Sequence, residues 1–348
     1  MTPGQYSGFL MTGWGATAIR IERDHGPDGI TNEDLLLNRG KKSVVLNLRD
    51  ADDHAAFMAL AREADVLIES YRPGVTTRLG IGYDAIRAIN PGIIYCSLSG
   101  FGQTGPDAMR AAYDMLFQAE SGLLHALNAN AAELTAPQTY IADAGNGLMA
   151  AFAICAALQG RNRTGQGRHI DLSMQETVFS LLSVSHGTMR DGVPISGQDA
   201  AQRSMRPANN IYRGRDGRHV VITAMSEKSC RALFGHLGNE DLWRQGLTIG
   251  DPENPAKAFL QARFAENDAQ HWVDTLSALE IEIGLVNTPY EAFNNPQLNA
   301  RNMVLDTVDQ QGNPLRQIGF PATSKGTPDL APAPEPGAHQ QEHTTRKR

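Results

Sequence analysis

The carboxylate best placed for chemistry is Asp143, in the segment TYIADAGNG directly before the apolar run LMAAFAICAAL. This pattern predicts a helix that begins near Asp143, and it allows two interpretations. In the first, Asp143 only caps the helix. In the second it is a nucleophile, because a helix N-terminus favours the anion and lowers the carboxyl pKa. Gly145 and Gly147 would then let a ligand approach backbone N–H groups that could hold an oxyanion.

Basic side chains recur at or just beyond the ends of predicted strands, as Arg23, Arg72 and Arg78 and as the cluster Arg39, Lys41 and Lys42. Ligands of open α/β sheets bind outside the carboxyl ends of the strands, and guanidinium groups there suit a phosphate. The plainer interpretation is a set of solvated charges in turns. The pattern alone leaves both interpretations open.

A glycine-rich segment, Gly100 to Gly105, spells G-x-G-x-x-G after a predicted strand. A dinucleotide site needs a helix opening at this point and a strand that ends in an acid about 20 residues later. Residues 122–137 contain no convincing strand of that kind. The favoured interpretation is therefore a glycine-rich turn at the carboxyl edge of a sheet. The chain also has no G-x-S-x-G elbow and no Walker loop.

Composition bounds the class of protein. The chain has 348 residues, which predicts about two domains, and a net charge of −7, which argues against a broadly basic nucleic-acid-binding protein. Three cysteines without metal-ligand spacing fit reduced thiols and no metal site. The longest apolar run, Leu148 to Leu158, is too short to span a bilayer, and the N-terminus lacks a signal peptide. We expect a soluble, cytoplasmic protein with no membrane or nucleic-acid partner.

The elements that position these residues follow from hydrophobic periodicity. Strands are predicted at 18–22, 43–48, 65–71, 93–99 and 168–172. Helical patterns lie between them, so the first unit is predicted to be α/β with a parallel sheet. After a linker at 191–207, a second unit begins with a strand at 219–224 and continues with helices to about residue 300. The last twenty-odd residues are rich in Pro, Ala and charge and are expected to be extended or disordered.

Several ordered segments resemble the class III CoA-transferases, the family of formyl-CoA transferase and carnitine CoA-transferase, with α-methylacyl-CoA racemase as a related branch. The resemblance extends over roughly residues 3–305. The matching segments are PGQYSGFLMTGWGATAIRIER, LNRGKKSVVLNL, ADVLIESYRPGVTTRLGIGYDAI, NPGIIYCSLSGFGQTGP, YDMLFQAESGLL, ADAGNGLMAAFAICAAL and RTGQGRHIDLSMQE, with YRGRDGRHVVI and NNPQLNAR in the second unit.

The resemblance implies an open parallel Rossmann-like sheet in a large domain, a smaller α+β domain and an interlocked homodimer. The implied boundaries are 1–200 for the large CoA-binding and catalytic domain, 205–305 for the small domain, and 306–348 for a return segment and disordered tail. Family chains carry a strand before the segment that opens this sequence and a further helix after its last segment. We therefore expect an unpaired sheet edge and an apparently truncated return segment.

The resemblance also implies roles for single residues. Asp143 falls at the catalytic aspartate, Arg23 at an arginine that binds the CoA phosphates, and Leu37 and Asn38 at the adenine end. Ser70 and Tyr71 replace an Asn-Phe pair that lines the pantetheine arm. The implied CoA-binding set is Arg23, Leu37, Asn38, Lys41, Ser70, Tyr71, Arg78 and Tyr113. No prosthetic group is implied, because coenzyme A and acyl-CoA are substrates.

The implied reaction moves CoA from an acyl-CoA thioester to a carboxylic acid, through an anhydride and then an aspartyl-CoA thioester at Asp143. Two alternatives stay open. One is a 2-methylacyl-CoA racemase or epimerase, whose branch has a His-Asp pair where this chain has Tyr113 and Asp114. Tyrosine, with a reference pKa near ~10, suits such proton exchange poorly. The other is a truncated, non-catalytic paralogue.

Overall fold

The computed structural model describes residues 2–23, 31–128, 133–186, 189–190, 193–194, 206–249, 253–321 and 330–344. The chain divides into two compact units. Unit 1 comprises Met1–Leu124, Ala136–Leu181 and Asn295–Arg348, and unit 2 comprises His125–Thr135 and Leu182–Asn294. Most of the predicted linker, apart from 193–194 and 206–207, lies outside the described residues.

Unit 1 begins with alternating helices and strands. In chain order these are α1 (Thr2–Gly13), β1 (Ile19–Glu22), α2 (Asn32–Leu37), β2 (Lys42–Val45), α3 (Ala51–Glu63), β3 (Val66–Glu69), α4 (Val75–Arg78), α5 (Tyr83–Ile89), β4 (Ile94–Ser99), α6 (Asp114–Glu120), α7 (Leu123–Leu127), α8 (Ile141–Thr164), β5 (Arg168–Ser173) and α9 (Met174–Leu181). All five strands predicted for the first unit are present, within a few residues of the predicted bounds.

Strand β4 lies at the centre of a parallel sheet with the order β3-β4-β5. Every residue of β4 is buried, as expected for a strand covered on both faces. Tyr95 packs with Phe57 and Ile86 of α3 and α5. The neighbouring residues Ile94, Cys96 and Leu98 pack against Ala150, Ile154 and Ala157 of α8 on the opposite face. Unit 1 is thus a three-layer α/β arrangement.

The five parallel strands do not form one continuous sheet in the described part of the chain. Strands β1 and β2 pair with each other, while β3, β4 and β5 form the second sheet. The expectation of a single open sheet is corrected to a mixed α/β fold with two parallel sheets. Strands β1 and β3 each have one hydrogen-bonded neighbour among the described strands, so the backbone edge of each remains available there.

The return segment of unit 1 is more ordered than the sequence predicts. It contains α16 (Pro296–Ala300), β11 (Val304–Val308), β12 (Pro314–Ile318) and the short helix α17 (Gln340–His343). The Gln340 side chain donates to the Val45 carbonyl and accepts from the Val45 N–H, and His339 Nδ1 accepts from the Ser43 N–H. Residues 337–340 therefore form hydrogen bonds with polar groups of Ser43 and Val45 on β2. These hydrogen bonds explain why this part of the tail packs on unit 1. The expectation of an extended or disordered tail is corrected at the helix and at these contacts, while residues 330–335 contain neither helix nor strand.

Unit 2 combines helices and strands in an α+β arrangement. Its elements are α10 (Ser183–His186), β6 (Met189–Arg190), β7 (Val193–Pro194), β8 (Asn209–Arg213), β9 (His219–Thr223), α11 (Glu227–His236), a 3-10 turn (Glu240–Leu242), α12 (Trp243–Gly246), α13 (Pro255–Phe264), α14 (Ala269–Ser277), β10 (Ile283–Leu285) and α15 (Pro289–Ala292). The strands β10, β9 and β8 form an antiparallel sheet in that order. Helices α11, α13 and α14 pack on the sheet around Phe234, Leu260, Phe264 and Trp272.

Helix α8 is the longest element, and by length and composition alone it could cross a membrane. It extends from Ile141 to Thr164, well beyond the apolar run seen in the sequence. About 33% of its most apolar stretch is buried. Within unit 1 it packs against α1, α9, β4 and β5. Its first turn holds Asp143, and its last turn holds Arg161 and Arg163. This packing is that of a core helix with one uncovered side.

Candidate active site

Asp143 lies in the first turn of α8, but it does not cap the helix. The cap position is Tyr140, whose side chain makes no cap hydrogen bond. The Asp143 N–H instead donates to Asp114 Oδ2 at 2.9 Å. Asp114 is the buried first residue of α6, and the Gln118 side-chain amide donates to its other oxygen. A carboxylate from a second helix therefore does the capping, which leaves the Asp143 side chain free for another role.

The electrostatic environment of Asp143 opposes its ionisation. Burial raises the pKa of the Asp143 carboxyl, the Asp114 carboxylate raises it further, and a hydrogen bond from the Thr2 side chain lowers it, for a result of about 6. The expectation that the helix N-terminus lowers this pKa is corrected, because desolvation and a like charge outweigh the helix dipole. At neutral pH the group is largely ionised yet poorly hydrated, which suits a nucleophile.

The N-terminal turn of α1 lies between Asp143 and the end of β3. The Pro3 carbonyl oxygen is 2.7 Å from the position that a Cβ on Gly147 would occupy, so α1 and α8 are in direct backbone contact. On the other side of α1, Ser70 Oγ is 3.0 Å from the Cβ position of Gly4. The structure thus places Ser70 near the turn of α1 that supplies Thr2 to Asp143.

Tyr71 and Tyr113 both present their rings to solvent. Tyr71 follows Ser70 at the end of β3 and is exposed, with its N–H donated to Glu69 Oε2 at 2.8 Å. Tyr113 is 89% exposed and directly precedes Asp114. Neither ring packs into the core. Both tyrosines border the region between β3, α1 and α8.

The predicted basic residues separate into two groups. Arg23, Arg72 and Arg78 are exposed, and none of them forms an ion pair with another described residue. The cluster of Arg39, Lys41 and Lys42 has internal partners instead. Arg39 donates to the Ile318 carbonyl at 2.9 Å, and Lys42 pairs with Glu342 at 2.6 Å. The three free guanidinium groups are therefore the better candidates for binding phosphate.

Lys41, Leu37 and Asn38 are buried beneath α1. Lys41 Nζ donates to the Gln5 carbonyl at 2.7 Å and to Asn38 Oδ1 at 3.2 Å, and Asn38 donates to Asp34 Oδ1 at 2.8 Å. Burial lowers the pKa of the Lys41 ammonium to about 7, with a further lowering by nearby Arg20. The geometry gives these side chains contacts with α1 and α2 in the interior of unit 1, not with an exposed ligand.

The glycine-rich segment is a turn, as predicted. Gly102 and Gly105 have φ values of +89° and +95°, which glycine adopts without strain. The Gln103 N–H donates to both Asp171 carboxylate oxygens, at 3.1 and 3.0 Å. Residues 106–113 form turns and extended chain with no helix, so the dinucleotide interpretation has no support.

The structure adds two features that sequence reasoning missed. The first is the contact of Asp114 with Asp143, and the spacing of four residues between Asp114 and Gln118 on α6 was the available signal for a buried pair. The second is a hydrogen-bonded group on the sheet, formed by the buried residues Glu69 and Ser97 and the exposed residue His169. Across the described residues, no group of three or more His, Cys, Asp or Glu side chains could hold a metal ion.

Comparison with known proteins identifies the family. The model of CoA-transferase family III matches residues 1–340. The chain is 34% identical to acetyl-CoA:oxalate CoA-transferase of Acetobacter aceti, over 94% of this chain and 89% of that protein. It is 28% identical to α-methylacyl-CoA racemase of Homo sapiens, over 98% and 89%.

Solved structures agree with the sequence comparison. Rv3272 of M. tuberculosis superposes with a TM-score of 0.82 at 25% identity, over 99% of this chain and 95% of that one. A CAIB/BAIF family protein of Brucella suis gives 0.78 at 26% identity, over 98% and 94%. Relatives named as CoA-transferases match between 27% and 34% over most of the chain and support a CoA-transferase enzyme. The chain belongs to CoA-transferase family III.

Proposed function

We propose that this protein transfers CoA from an acyl-CoA thioester to a carboxylic acid, with Asp143 as the covalent nucleophile. The observation that carries the proposal is the state of Asp143, a half-buried carboxylate whose own N–H is held by Asp114. Among the described residues this carboxylate neither caps its helix nor pairs with a basic side chain, and its hydrogen bond from Thr2 comes from the adjacent turn of α1. Family membership supports CoA as the group that is transferred.

The proposed steps exchange one thioester for another. An Asp143 oxygen attacks the acyl-CoA carbonyl carbon and the C–S bond breaks, which releases the CoA thiolate and leaves a mixed anhydride on Asp143. The thiolate then attacks the aspartyl carbonyl and expels the donor carboxylate, which leaves an aspartyl-CoA thioester. The acceptor carboxylate attacks this thioester to give a second anhydride and the CoA thiolate, and the thiolate then attacks the acceptor carbonyl, which forms the new acyl-CoA and frees Asp143. Because the product is again a thioester, its energy is conserved and the cycle needs no ATP.

The proposed binding site places CoA along unit 1. Its phosphates would meet the exposed guanidinium groups of Arg23 and Arg78, since Lys41 has its ammonium turned inward. The pantetheine arm would pass Ser70 and Tyr71 at the end of β3. Tyr113, exposed beside Asp114, would border the acyl end. Leu37 and Asn38 would support the adenine end from beneath, because both are buried.

A covalent trap tests the mechanism. Purified protein would be incubated with a panel of acyl-CoAs and quenched with hydroxylamine, and the modified peptide would be mapped by mass spectrometry. Hydroxylamine attacks either aspartyl intermediate, so we expect a hydroxamate at Asp143 that is absent in Asp143→Ala. Asp65→Asn is a matched control, because Asp65 is an exposed carboxylate that pairs with Arg161 at 2.8 Å.

The outcomes of the trap separate the alternatives. A folded protein that binds CoA yet gives no label with any donor contradicts the transferase mechanism. Deuterium entry at the α-carbon of a 2-methylacyl-CoA without an acceptor acid would then support the racemase. Loss of both labelling and exchange would support a non-catalytic paralogue. Racemases are among the relatives, so identity alone does not distinguish these activities.

We also propose that the protein acts as a homodimer. One side of α8 presents Leu148 and Phe152, and the adjacent α9 presents Phe179, all exposed. Leu148 and Phe152 are four residues apart and share a helix face. A group of exposed large apolar side chains on neighbouring helices is typical of a protein–protein interface.

A further inference from the structure

Three polar side chains form a row across the central sheet of unit 1. Glu69 of β3 is in register with Ser97 of β4, which is in register with Asp171 of β5. In-register residues of parallel strands face the same side of a sheet. Glu69 is 8% exposed and Ser97 is 2% exposed. The row lies toward the carboxyl ends of the strands, the edge at which the segment with Ser70 and Tyr71 begins.

Hydrogen bonds connect Glu69 and Ser97 of this row to His169, which lies two residues before Asp171 on β5. The Glu69 carboxylate accepts the Tyr71 N–H at 2.8 Å and bonds the Ser97 side chain. Ser97 Oγ lies 2.9 Å from His169 Nε2, and the His169 ring stacks on Tyr83 with centroids 4.9 Å apart. An ionised carboxylate only accepts, so Ser97 donates to Glu69 and accepts from His169. With Glu69 ionised, this order requires the His169 tautomer that carries its proton on Nε2.

The bond from Tyr71 to Glu69 fixes the path of the chain where it leaves the sheet. Ser70, between them, has its hydroxyl against Gly4 of α1. A similar contact occurs in the loop that follows β4, where the Asp171 carboxylate accepts a hydrogen bond from the Gln103 N–H. Two carboxylates thus shape the two loops that follow β3 and β4.

The energetics favour a specific role for the acid at position 69. Burial raises the pKa of Glu69, so its charge carries a desolvation cost in the folded state. A buried carboxylate is tolerated when hydrogen bonds satisfy it, as Ser97 and the Tyr71 N–H do here. The backbone of Tyr71 is therefore held by a hydrogen bond where the chain leaves β3.

We infer that Glu69, held by Ser97 and His169, is a positioning residue that presents Ser70 and Tyr71 to the pantetheine arm of CoA. This inference rests on the proposed function, because the role of Ser70 and Tyr71 in CoA binding is itself part of that proposal. Glu69 does not touch the substrate in this scheme. It acts through the backbone of Tyr71.

Variants of Glu69 and Ser97 test the inference. Glu69→Ala leaves the Tyr71 N–H and the Ser97 hydroxyl without their acceptor. Loss of a buried hydrogen bond to a charged group corresponds to a ~10- to 100-fold effect, so we expect the Kd for CoA and the KM for acyl-CoA to rise by that order. With saturating donor, the hydroxylamine label at Asp143 is expected to persist. Ser97→Ala is expected to raise the same constants by a smaller factor.

Glu69→Gln provides the rescue. Its amide oxygen still accepts the Tyr71 N–H, and its NH₂ donates to Ser97, which then donates to His169 in the other tautomer. We expect this variant to bind CoA nearly as well as the wild type.

Asn90→Ala is the matched control, because Asn90 donates to the Ala61 and Ala64 carbonyls at the opposite end of the sheet, at 3.0 and 2.8 Å. It should lower Tm without changing the Kd for CoA.

Isothermal titration with CoA, steady-state kinetics and thermal unfolding would be measured for all variants. If the wild type binds CoA and both Glu69→Ala and Ser97→Ala bind it equally well, the positioning role is wrong while the proposed function stands. If Glu69→Ala does not fold, Ser97→Ala and Glu69→Gln still decide the question. A folded wild type that neither binds CoA nor takes a label at Asp143 overturns the proposed function together with this inference.

Discussion

The carboxyl of Asp143 is half-buried beside the carboxylate of Asp114, and its ionisation controls whether it can attack. Burial and then Asp114 raise the pKa of Asp143 to about 6. A raised carboxyl pKa means that the nucleophilic anion is lost as the pH falls through that value. We therefore expect kcat/KM to fall on the acid side with a midpoint near 6, as measured by initial rates from pH 4.5 to 8.

Asp114→Asn sharpens this prediction. The asparagine oxygen can still accept the Asp143 N–H, but the negative charge is gone, so the acid limb is expected to move to lower pH. Glu33 contributes a smaller effect of the same sign as Asp114 and is unchanged in this variant. An acid limb that stays at the same pH in wild type and variant would contradict the assignment of the limb to Asp143.

Single residues also show where sequence reasoning ends. The pattern placed Asp143 at the start of a helix, which the structure confirms. The sequence pattern could not show that the Lys41 side chain points inward. An RGKK cluster predicts solvated charges unless the position of α1 is known. Lys41 is buried by α1, a helix 28 residues or more away in sequence. The Gln5 carbonyl of that helix accepts a hydrogen bond from the Lys41 ammonium. Burial by a distant element leaves no local signal.

At the scale of elements, strands and helices of unit 1 were predictable because each carries its own periodicity. The fully buried β4 was predictable from the segment IIYCSLS, which is apolar except for two serines. The pairing of strands into two sheets was not, since register and neighbours depend on contacts far apart in sequence. The tail illustrates the same limit. Its Pro-rich composition predicts disorder, yet β2 offers an open backbone edge that Gln340 and His339 satisfy.

The contact of α1 with α8 gives an element-scale prediction. A Cβ on Gly147 would lie 2.7 Å from the Pro3 carbonyl oxygen and 3.1 Å from the Tyr6 ring. Since backbone must move, Gly147→Ala is expected to lower the free energy of unfolding by about 1–3 kcal/mol. The shift also displaces the α1 turn that contacts Asp143 and Ser70, so turnover should fall. Urea denaturation and initial rates measure the two effects.

Gly145→Ala is the control on the same helix. A Cβ there would meet Thr177 Cγ2 at 3.6 Å, which is ordinary contact. Replacing glycine by alanine in a helix interior favours folding by roughly 0.5–1 kcal/mol, so this variant is expected to be at least as stable as the wild type. Equal destabilisation by both changes would mean that the close approach of α1 is not what constrains Gly147.

At the scale of the whole molecule, the candidate site is assembled from segments distant in sequence within unit 1. Thr2 comes from the first helix, Ser70 from the end of β3, Asp114 from α6 and Asp143 from α8. Each was visible in the sequence as a residue, but the contacts that give them a common role were not. The resemblance to a family assigned roles to Asp143 and Ser70, but it named neither Thr2 nor the contact between Asp114 and Asp143.

One side of α8 is uncovered, so the oligomeric state of the whole molecule can be tested directly. Phe152 is 68% exposed and Phe179 is 65% exposed, next to Leu148. Removing such a face from water is favourable by about 25 cal/mol per Å² of apolar area, so two copies gain by covering it. We expect the wild type to be a dimer in light scattering coupled to size exclusion, and Phe152→Asp to be a monomer, because a charge on this face opposes its burial.

Tyr290→Asp is the matched control for the dimer prediction. Tyr290 is an aromatic residue on α15 of unit 2, and it is more exposed than Phe152. If the α8 face is the interface, the control should keep the mass of the wild type while Phe152→Asp halves it. Circular dichroism would confirm that both variants are folded, since Phe152 makes little contact with the core. A wild type that remains monomeric across the concentration range, or a Phe152→Asp protein that stays dimeric, would place the interface elsewhere or remove it.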